Sequence, residues 1–294
     1  MAASLRSFGE TDRPAVLDLS RRALARPLEQ VGNPIWETRE ELDSELGGWD
    51  HPPAETLLVA EEDHEIAGFG GLEVASGWEH ADLFGPLVGI PHRGQKIGGR
   101  LLHASIEIGR SSGAKRIVGS VGTRNATGRM MLQRAGFRTL EGAHALYRLL
   151  PASHRPAGEA PAGVAVRRGR PDDLDDALSL YKECFPTGQF PDSVWRNGLD
   201  RGTVYLAEEE GRPVAVVDVD PSDRWIYHLG VTSSERQHGV GAYLLSRVLE
   251  DYWADHPGET LGLSVSADNV PAIRLYRRQG FAPWLVLQYF ELTL

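Results

Sequence analysis

The stretch "VTSSERQHGVGAYLL", residues 231–245, has an earlier twin in "VGIPHRGQKIGGRLL", residues 88–102. In both, a Val is followed five residues later by an Arg, then by a glycine-bearing turn and a Leu-Leu pair. The surrounding apolar pattern predicts a buried strand before each turn and an amphipathic helix after it. Unpaired N–H groups and the helix dipole make such a turn suited to an anion. Gly239 and Gly241 would let a phosphate group approach the backbone, although any tight strand-to-helix turn can use the same glycines.

The twins belong to a duplication that covers most of the chain. Their offset is 143 residues (231 minus 88), and a second pair, "NATGRMMLQRAGFRTL" and "NVPAIRLYRRQGFAPW", is offset by 144 (269 minus 125). Between the halves, "PASHRPAGEAPAG" is rich in Pro, Ala and Gly, a composition typical of an exposed linker. The sequence therefore predicts a domain over 1–150, a linker over 151–163 and a domain over 164–294. We expect the two halves to pack on each other.

Length, charge and cysteine content narrow the class of protein. The chain has 294 residues, a formal net charge of −10 and one cysteine, Cys184. The acidic balance argues against nucleic-acid and anionic-membrane partners; it is compatible with a cationic substrate, or simply with a soluble surface. A single cysteine excludes an internal disulfide and indicates a reducing cytoplasm, where Cys184 is expected to be a buried structural thiol. The N-terminal sequence lacks the apolar core of a signal peptide, and the histidine spacing predicts no metal site.

Two motifs of the second half together resemble a known family. Residues 236–241 read R-Q-H-G-V-G, and residues 269–281 fit N-x-x-A-x-x-x-Y-x-x-x-G-F. In this order and spacing they are similar to the signatures of the GCN5-related N-acetyltransferases, the GNAT family. The resemblance covers 164–294, and a weaker version covers 1–150. It implies an α/β (α+β) fold: two GNAT-like domains, each a mixed, bent, mostly antiparallel sheet flanked by helices, with splayed fourth and fifth strands.

The same resemblance implies acetyl-CoA as a co-substrate and a location for it. Pantetheine would lie in the gap between the splayed strands, bonded to the backbone of Leu229, Gly230 and Val231. The diphosphate would rest on the turn and helix start formed by Arg236, Gln237, His238, Gly239, Val240, Gly241 and Ala242. Asn269, which opens the last motif, completes the implied coenzyme site.

Acyl transfer to an amine needs a proton for the departing thiolate and a base for the amine. Tyr276 aligns with the family tyrosine that donates this proton; the other interpretation is a packed aromatic residue. Family members place a base where this chain has Trp225 and Tyr227, and neither side chain suits the task. Strand alternation should turn His228 to the opposite face. The remaining candidates are a water chain and the two strand carboxylates, Asp218 and Asp220.

The first half departs from the family pattern at two positions. Lys96 replaces the glycine that corresponds to Gly239, and Leu132 stands where the second half has Tyr276. These changes predict a catalytically degenerate domain, although a lysine could still pair with a phosphate. Asp82 corresponds to Trp225 and is interpreted as a relic or as part of a binding site.

The sequence thus predicts an acyl-CoA-dependent N-acyltransferase whose catalytic residues lie in 164–294. The acceptor would be a primary amine of a small molecule or a peptide, attacked directly without a covalent enzyme intermediate. A rival interpretation is a non-catalytic acyl-CoA-binding or regulatory module that kept the fold and lost its base. A third possibility is that the first half also holds coenzyme.

Overall fold

A computed structural model describes residues 3–156, 160–188 and 190–294. Contacts divide the chain into two compact units, Met1–His144 with Val286–Leu294, and Ala145–Leu285. This division differs from the ranges expected from sequence in two respects. The last nine residues belong to the first unit, and residues 145–150 of the expected first domain belong to the second. Residues 157–159 of the expected linker lie outside the described residues.

The first unit contains a seven-strand sheet in the order β1-β2-β3-β4-β5-β12-β6. Strands β4 and β5 are parallel, whereas β1–β2, β2–β3, β3–β4 and β5–β12 pair antiparallel. The elements are β1 Ser4–Ser7, α1 Arg13–Leu24, α2 Arg39–Gly47, α3 Pro53–Thr56, β2 Leu57–Glu62, β3 Glu65–Val74, β4 His80–Val88, α4 Ile97–Ser112, β5 Arg116–Gly122, α5 Ala126–Arg134, β6 Arg138–Leu149 and the final strand β12 Ala282–Thr293.

The second unit repeats this plan with β11-β10-β9-β8-β7 as successive neighbours, and the end of β6 lies beside β11. Here β10 and β11 are parallel, and β7–β8, β8–β9 and β9–β10 are antiparallel. Its elements are β7 Val164–Arg168, α6 Leu174–Cys184, α7 Asp192–Arg201, β8 Val204–Glu209, β9 Arg212–Asp220, β10 Trp225–Val231, α8 Val240–Asp255, β11 Leu261–Ser266 and α9 Val270–Arg278.

Helical spacing of apolar residues explains how α4 and α8 attach to their sheets. Helix α8 buries Leu244, Leu245, Val248 and Leu249 completely, within a core shared with β8, β9 and β10. Removing such side chains from water is the main favourable term of folding. A separate cluster joins α6 and α7 to β8 and β9. The mixed, mostly antiparallel sheets with flanking helices confirm the expected fold class.

The parallel strand pair separates early in each unit. Strand β4 pairs with β5 only over His80–Asp82, and β10 pairs with β11 only at Trp225 and Ile226. Beyond these residues the two strands diverge and leave a gap that ends beside the following helix. This is the gap that the family resemblance implied.

A β-bulge follows the split in both units. In β4 it falls between Phe84 and Leu87, and in β10 between Tyr227 and Gly230. The bulged residues, Gly85 with φ 73° and His228 with φ 46°, are 143 positions apart. A bulge interrupts the alternation of side chains along a strand. Among the described residues, no helix is long and apolar enough to cross a membrane.

Candidate active site

The strand-to-helix turns have the same backbone in both units. Gly94 and Gln237 correspond, with φ 81° and 68°, and Lys96 and Gly239 correspond, with φ 62° and 89°. Lys96 therefore adopts the left-handed conformation that a glycine adopts in the second copy. It is the N-cap residue of α4, as Gly239 is of α8, and both helices are 16 residues long. The lysine does not change the shape of the turn.

An arginine fixes each turn to the strand before it. Arg93 Nε donates to Val88 O at 3.0 Å, and Arg236 Nε donates to Val231 O at 3.0 Å. These two bonds occur at the same offset as the sequence twins. The signature arginine thus binds the last carbonyl of the strand and holds the turn against it.

The structure places the expected coenzyme residues of the second unit together at the end of β10 and the start of α8. Gly230 and Val231 pair with β9 on one side, and the pairing of β10 with β11 has already ended. Gln237 and His238 form the turn, and Val240 is buried at the first position of α8. Leu229, Gly241 and Ala242 are half-buried. A Cβ on Gly239 would lie 3.6 Å from Pro161 of the expected linker.

Asn269, which the family resemblance assigns to the coenzyme site, has a structural role in the protein. Its side chain accepts a hydrogen bond from Ala272 N at 3.2 Å and caps α9. Asn125 does the same for α5 through Gly128 N at 2.8 Å, and its Nδ2 donates to Gln30 O at 3.0 Å. The first residue of each late motif is therefore a helix cap.

Tyr276 lies on α9 and is 7% exposed. Its ring meets Phe281 edge-on, with 5.8 Å between the ring centroids. Burial raises the pKa of Tyr276 to about 12. The hydroxyl therefore stays protonated at neutral pH, as a proton donor must, and the same packing suits a core aromatic residue.

The two strand carboxylates proposed as bases differ sharply in environment. Asp218 is 5% exposed and accepts a hydrogen bond from Thr203 Oγ1 at 2.7 Å; burial raises its pKa. Asp220 is bound by Arg201 and Ser222, and its pKa is lowered by these hydrogen bonds despite its burial. A carboxylate already held in its charged form is a poor proton acceptor. Of the two, Asp218 is better suited to take a proton.

The position expected for His228 needs correction. Its ring lies among Tyr181, Phe185, Phe190 and Trp195, with centroids 4.1–5.8 Å away, and it also stacks on the Tyr227 ring at 5.9 Å. The bulge breaks the alternation, so the histidine does not turn away from its neighbour. Burial lowers the pKa of His228 to about 4, and Nδ1 has no hydrogen-bond partner among the described residues.

A cavity of about 950 Å³ opens in the first unit at the split between β4 and β5. It is lined by the end of β4 from Gly85 to Val88, by the turn at Lys96, and by one face of α5 that includes Leu132. This volume is within the range of sites that bind cofactors and other small molecules. The half expected to be degenerate thus has a large cleft where its parallel strands separate.

The charged residues that line this cavity are mainly basic. One acidic residue, Glu29, faces five basic ones, Arg22, Arg93, Lys96, Arg110 and Arg134. Of these, Lys96 and Arg134 form no ion pair with any described residue. In a chain of net charge −10, such a lining is suited to an anionic ligand.

Sequence reasoning missed this cavity because it judged the first half by its signature residues. The bulged positions differ between the units, because Gly85 stands where the second unit has His228. A Cβ on Gly85 would lie 2.9 Å from Phe69 O on β3, so the glycine allows the two strands to approach closely at the bulge.

Comparisons with known proteins agree with this geometry. The family model for the acetyltransferase (GNAT) family matches residues 22–137 and again 173–281. This chain belongs to the GNAT family. The two matches correspond to the two halves of the sequence repeat, and the tandem arrangement is similar to that of mycothiol synthase.

Two named relatives match this chain at low sequence identity. The chain is 28% identical over 251 residues to a mycothiol acetyltransferase of Nocardia farcinica, covering 79% of this chain and 81% of the relative. A mycothiol acetyltransferase of Clavibacter sepedonicus is 33% identical over 135 residues, and that match spans only 44% of the relative and 42% of this chain.

Solved structures show the same fold at lower identity. A GCN5-related N-acetyltransferase from Sphaerobacter thermophilus superposes with a TM-score of 0.80 at 20% identity, covering 99% of this chain and 96% of that one. A tandem GNAT protein from the clavulanic acid biosynthesis pathway gives a TM-score of 0.66 at 18% identity, with 99% and 98% coverage. At these identities the likeness concerns the fold alone.

Two further expectations from the sequence concern Cys184 and metal binding. Cys184 is half-buried, and burial raises the pKa of its thiol, so it is not an activated nucleophile. No group of three or more His, Cys, Asp or Glu side chains in the described part of the chain is arranged to hold a metal ion.

Proposed function

We propose that this protein transfers an acyl group, acetyl by preference, from acyl-CoA to a primary amine. The observation that carries the proposal is the split parallel pair in each unit, which ends beside a strand-to-helix turn. Such a gap offers unpaired backbone to a pantetheine arm, and the turn offers N–H groups to a diphosphate. A non-catalytic acyl-CoA-binding module would share this gap, so turnover is the property that separates the two functions.

Donor binding in the second unit would use the residues expected from the sequence. The backbone of Leu229 to Val231 would face the pantetheine arm, and the turn from Arg236 to Ala242 would face the diphosphate. Gly239 leaves space beside these N–H groups, since among the described residues Pro161 alone would come within 4 Å of a Cβ there. A Cβ on Gly241 would lie 3.1 Å from Val231, so this glycine allows α8 to pack closely on β10. The coenzyme would bind mainly to the backbone of the turn. The two copies of the turn can therefore carry different side chains.

The reaction requires the free amine as nucleophile. Its nitrogen would attack the thioester carbonyl carbon, forming the C–N bond and a tetrahedral intermediate. When the intermediate collapses, the C–S bond breaks and the thiolate takes a proton. We assign this proton to the hydroxyl of Tyr276, which burial keeps protonated.

The amine loses its own proton to a base before or during attack. In the second unit Asp218 is the better candidate of the two carboxylates, because burial raises its pKa although the hydrogen bond from Thr203 acts in the opposite direction. Asp220 is already paired with Arg201. Tyr227 donates to Asp223 at 2.9 Å, so the family base position is occupied by a hydrogen-bonded phenol.

A small-molecule amine is the acceptor we favour over a peptide. The relatives that match this chain are named mycothiol acetyltransferases. The rings of Trp195, Trp225 and Tyr227 lie in the unit where catalysis is proposed, and aromatic faces attract ammonium groups. A screen of small primary amines would identify the acceptor.

Replacing Tyr276 tests the proposal. Tyr276→Phe removes only the hydroxyl, so we expect coenzyme affinity within twofold of wild type and turnover lowered by roughly 10²- to 10⁴-fold. The measurement is acetylation of a panel of primary amines by mass spectrometry, with coenzyme binding followed by calorimetry. Tyr252→Phe is the matched control, because that hydroxyl bonds to Glu259 away from α9.

Two outcomes would contradict the proposal in different ways. Wild-type turnover in the Tyr276→Phe variant would make Tyr276 a packing residue and leave the reaction intact. Tight binding of acetyl-CoA without transfer to any amine would instead favour the non-catalytic module.

A further inference from the structure

In the second unit, a short piece of the expected linker lies across helices α8 and α9. Arg155 N donates to the carbonyl oxygen of Gln279, which ends α9, at a distance of 3.1 Å. The ring of His154 lies beside the ring of Trp253 on α8, with 5.1 Å between the centroids. His154 has extended backbone angles, φ −62° and ψ 134°. An extended segment of the chain therefore fills the groove between these two helices.

Two corresponding glycines show that the same face of the first unit is open. A Cβ on Gly280 would lie 1.9 Å from Ser153 O, because the linker segment passes directly over this glycine. Gly136 corresponds to Gly280 and has nearly the same backbone, with φ 93° against 100°. Within the part of the chain that the structure describes, a Cβ on Gly136 would meet only Leu292 Cδ1, at 3.5 Å. Gly136 is exposed, whereas Gly280 is half-buried.

The open face is a groove that is continuous with the cavity of about 950 Å³. We call it the α4–α5 groove; its lining includes Gly99, Leu102, Ile106 and Arg110 of α4 and Met130 and Arg134 of α5. Arg110 corresponds to Trp253, and Ala135, which also lines the cavity, corresponds to Gln279. At 1.5 Å per residue the groove is about 16 Å long between Gly99 and Arg110. An extended peptide of about five residues spans this length.

The groove and the cavity around it expose apolar side chains. Of the six large apolar residues that are exposed in the described part of the chain, three line this cavity, namely Leu28, Ile90 and Met130. Met131 lines it as well. Methionine side chains are flexible and are common on surfaces that receive peptides. The second unit has Arg274 at the position of Met130, so at this point only the open copy of the groove is apolar.

The charges beside the groove are basic and partly free. Arg134 forms no ion pair or hydrogen bond with any described residue, and the same holds for Arg129 on the exposed side of α5. Arg110, at the other end, pairs with Glu107 of its own helix. A carboxylate of a ligand can therefore pair with Arg134 without breaking an existing ion pair. Because the chain has a net charge of −10, its other surfaces attract an acidic ligand less.

We propose that the α4–α5 groove docks an extended, acidic peptide segment of a partner protein. Apolar side chains of the peptide pack on Met130, and its carboxylates pair with Arg134. Its backbone passes over Gly136 as Ser153 passes over Gly280. Binding of a peptide to a groove between helices needs no acyl transfer, so this inference and the proposed function can fail independently.

Selection from a phage-displayed library of random dodecapeptides on the full-length protein tests the proposal. We expect enrichment of sequences that combine Asp or Glu with apolar residues. A fluorescein-labelled synthetic copy of the enriched peptide is then titrated by fluorescence anisotropy. Arg134→Glu reverses the charge in the groove and Met130→Glu removes its apolar contact, so each should weaken binding by tenfold or more. Both side chains are exposed, and the variants should fold as wild type does by circular dichroism.

The matched control is Arg278→Glu, which makes the same charge change at the corresponding exposed position of the second unit and should leave the affinity within twofold. A copy of the peptide with p-benzoylphenylalanine at its apolar position should crosslink to Met130, as located by mass spectrometry.

Four results would overturn the docking site. The first is a selection that enriches no acidic sequences, and the second is equal peptide affinity for wild type and Arg134→Glu. The third is displacement of the peptide by saturating acetyl-CoA, which would assign the groove to the coenzyme. The fourth is a dimer in analytical ultracentrifugation that Arg134→Glu converts to a monomer, which would make the groove an interface between two copies of this chain.

Discussion

Lys96 adopts a backbone conformation that costs an L-residue about 1 kcal/mol or more. The corresponding Gly239 adopts it freely, and a Cβ there would make only an ordinary contact with Pro161 at 3.6 Å. We therefore expect Gly239→Lys to fold and to lower the free energy of unfolding by about 1 kcal/mol, measured by urea denaturation. Gly239→Ala is the control, with the same strain and no charge. A loss of several kcal/mol would mean that the second turn cannot hold a lysine in the left-handed conformation that Lys96 adopts in the first turn.

Coenzyme binding at the second turn needs a separate measurement, because the first unit has its own cleft. In a Lys96→Glu background, we expect Gly239→Lys to weaken acetyl-CoA binding by tenfold or more, equivalent to about 1.4 kcal/mol. The physical reason is the close approach of phosphate oxygens to backbone N–H groups, which a side chain would obstruct. Unchanged affinity in calorimetry would remove the second turn from the coenzyme site.

His228 should make the protein sensitive to acid. Its pKa is about 4 in the folded protein against an ordinary value of 6.5, so the unfolded chain binds the proton more readily between these values. Stability is then fully present above about pH 6.5 and falls as the pH drops towards 4, by on the order of 3 kcal/mol at most. His228→Phe should abolish this slope and keep stability at pH 7, since it also removes the unpaired Nδ1. Equal slopes for variant and wild type in urea titrations at several pH values would contradict the assignment.

At the scale of single elements, the sequence predicts those features that depend on neighbouring residues. The strand–turn–helix units around 88–102 and 231–245 and the caps at 125 and 269 could all be read from residue spacing. The direction of His228 could not, because a bulge shifts the alternation by one residue and the sequence carries no simple sign of it. The first-unit cavity could not be predicted either, because residues from distant parts of the chain line it, from Leu19 on α1 to Leu292 on β12.

The two helix caps provide a comparison between copies of one element. Asn269→Ala removes one capping bond on an exposed residue, and we expect it to cost about 1 kcal/mol. Asn125 is buried and makes two bonds, so Asn125→Ala should cost about 2 kcal/mol. Urea denaturation of the two variants measures the difference. Coenzyme titration of Asn269→Ala then shows whether this residue contributes more than its cap, and equal losses of stability would contradict the role of the Gln30 bond.

At the scale of the whole molecule, the sequence repeat predicts two domains but not which residues complete each one. Nothing in the pattern of residues 282–293 distinguishes a strand of the second half from a strand of the first. In the structure, Leu287 to Thr293 pair with Gly122 to Arg116 of β5. The pairing joins residues more than 160 positions apart, and periodicity within one segment does not report such distances.

Removing residues 286–294 should therefore damage the first unit. The deletion takes away the strand that pairs with β5, the buried side chains of Leu287 and Phe290, and Glu291, which binds Arg116 and Arg138. We expect amide hydrogen exchange of residues 116–122 to lose its protection, because β5 loses the strand with which it pairs. Val286→Asn in the full chain is the control, since that side chain is 40% exposed and only its carbonyl is used, by Thr123 N. A fragment of residues 1–150 should fail in the same way. If either truncated chain keeps the protection of β5, the last nine residues are not part of the first unit's sheet in solution.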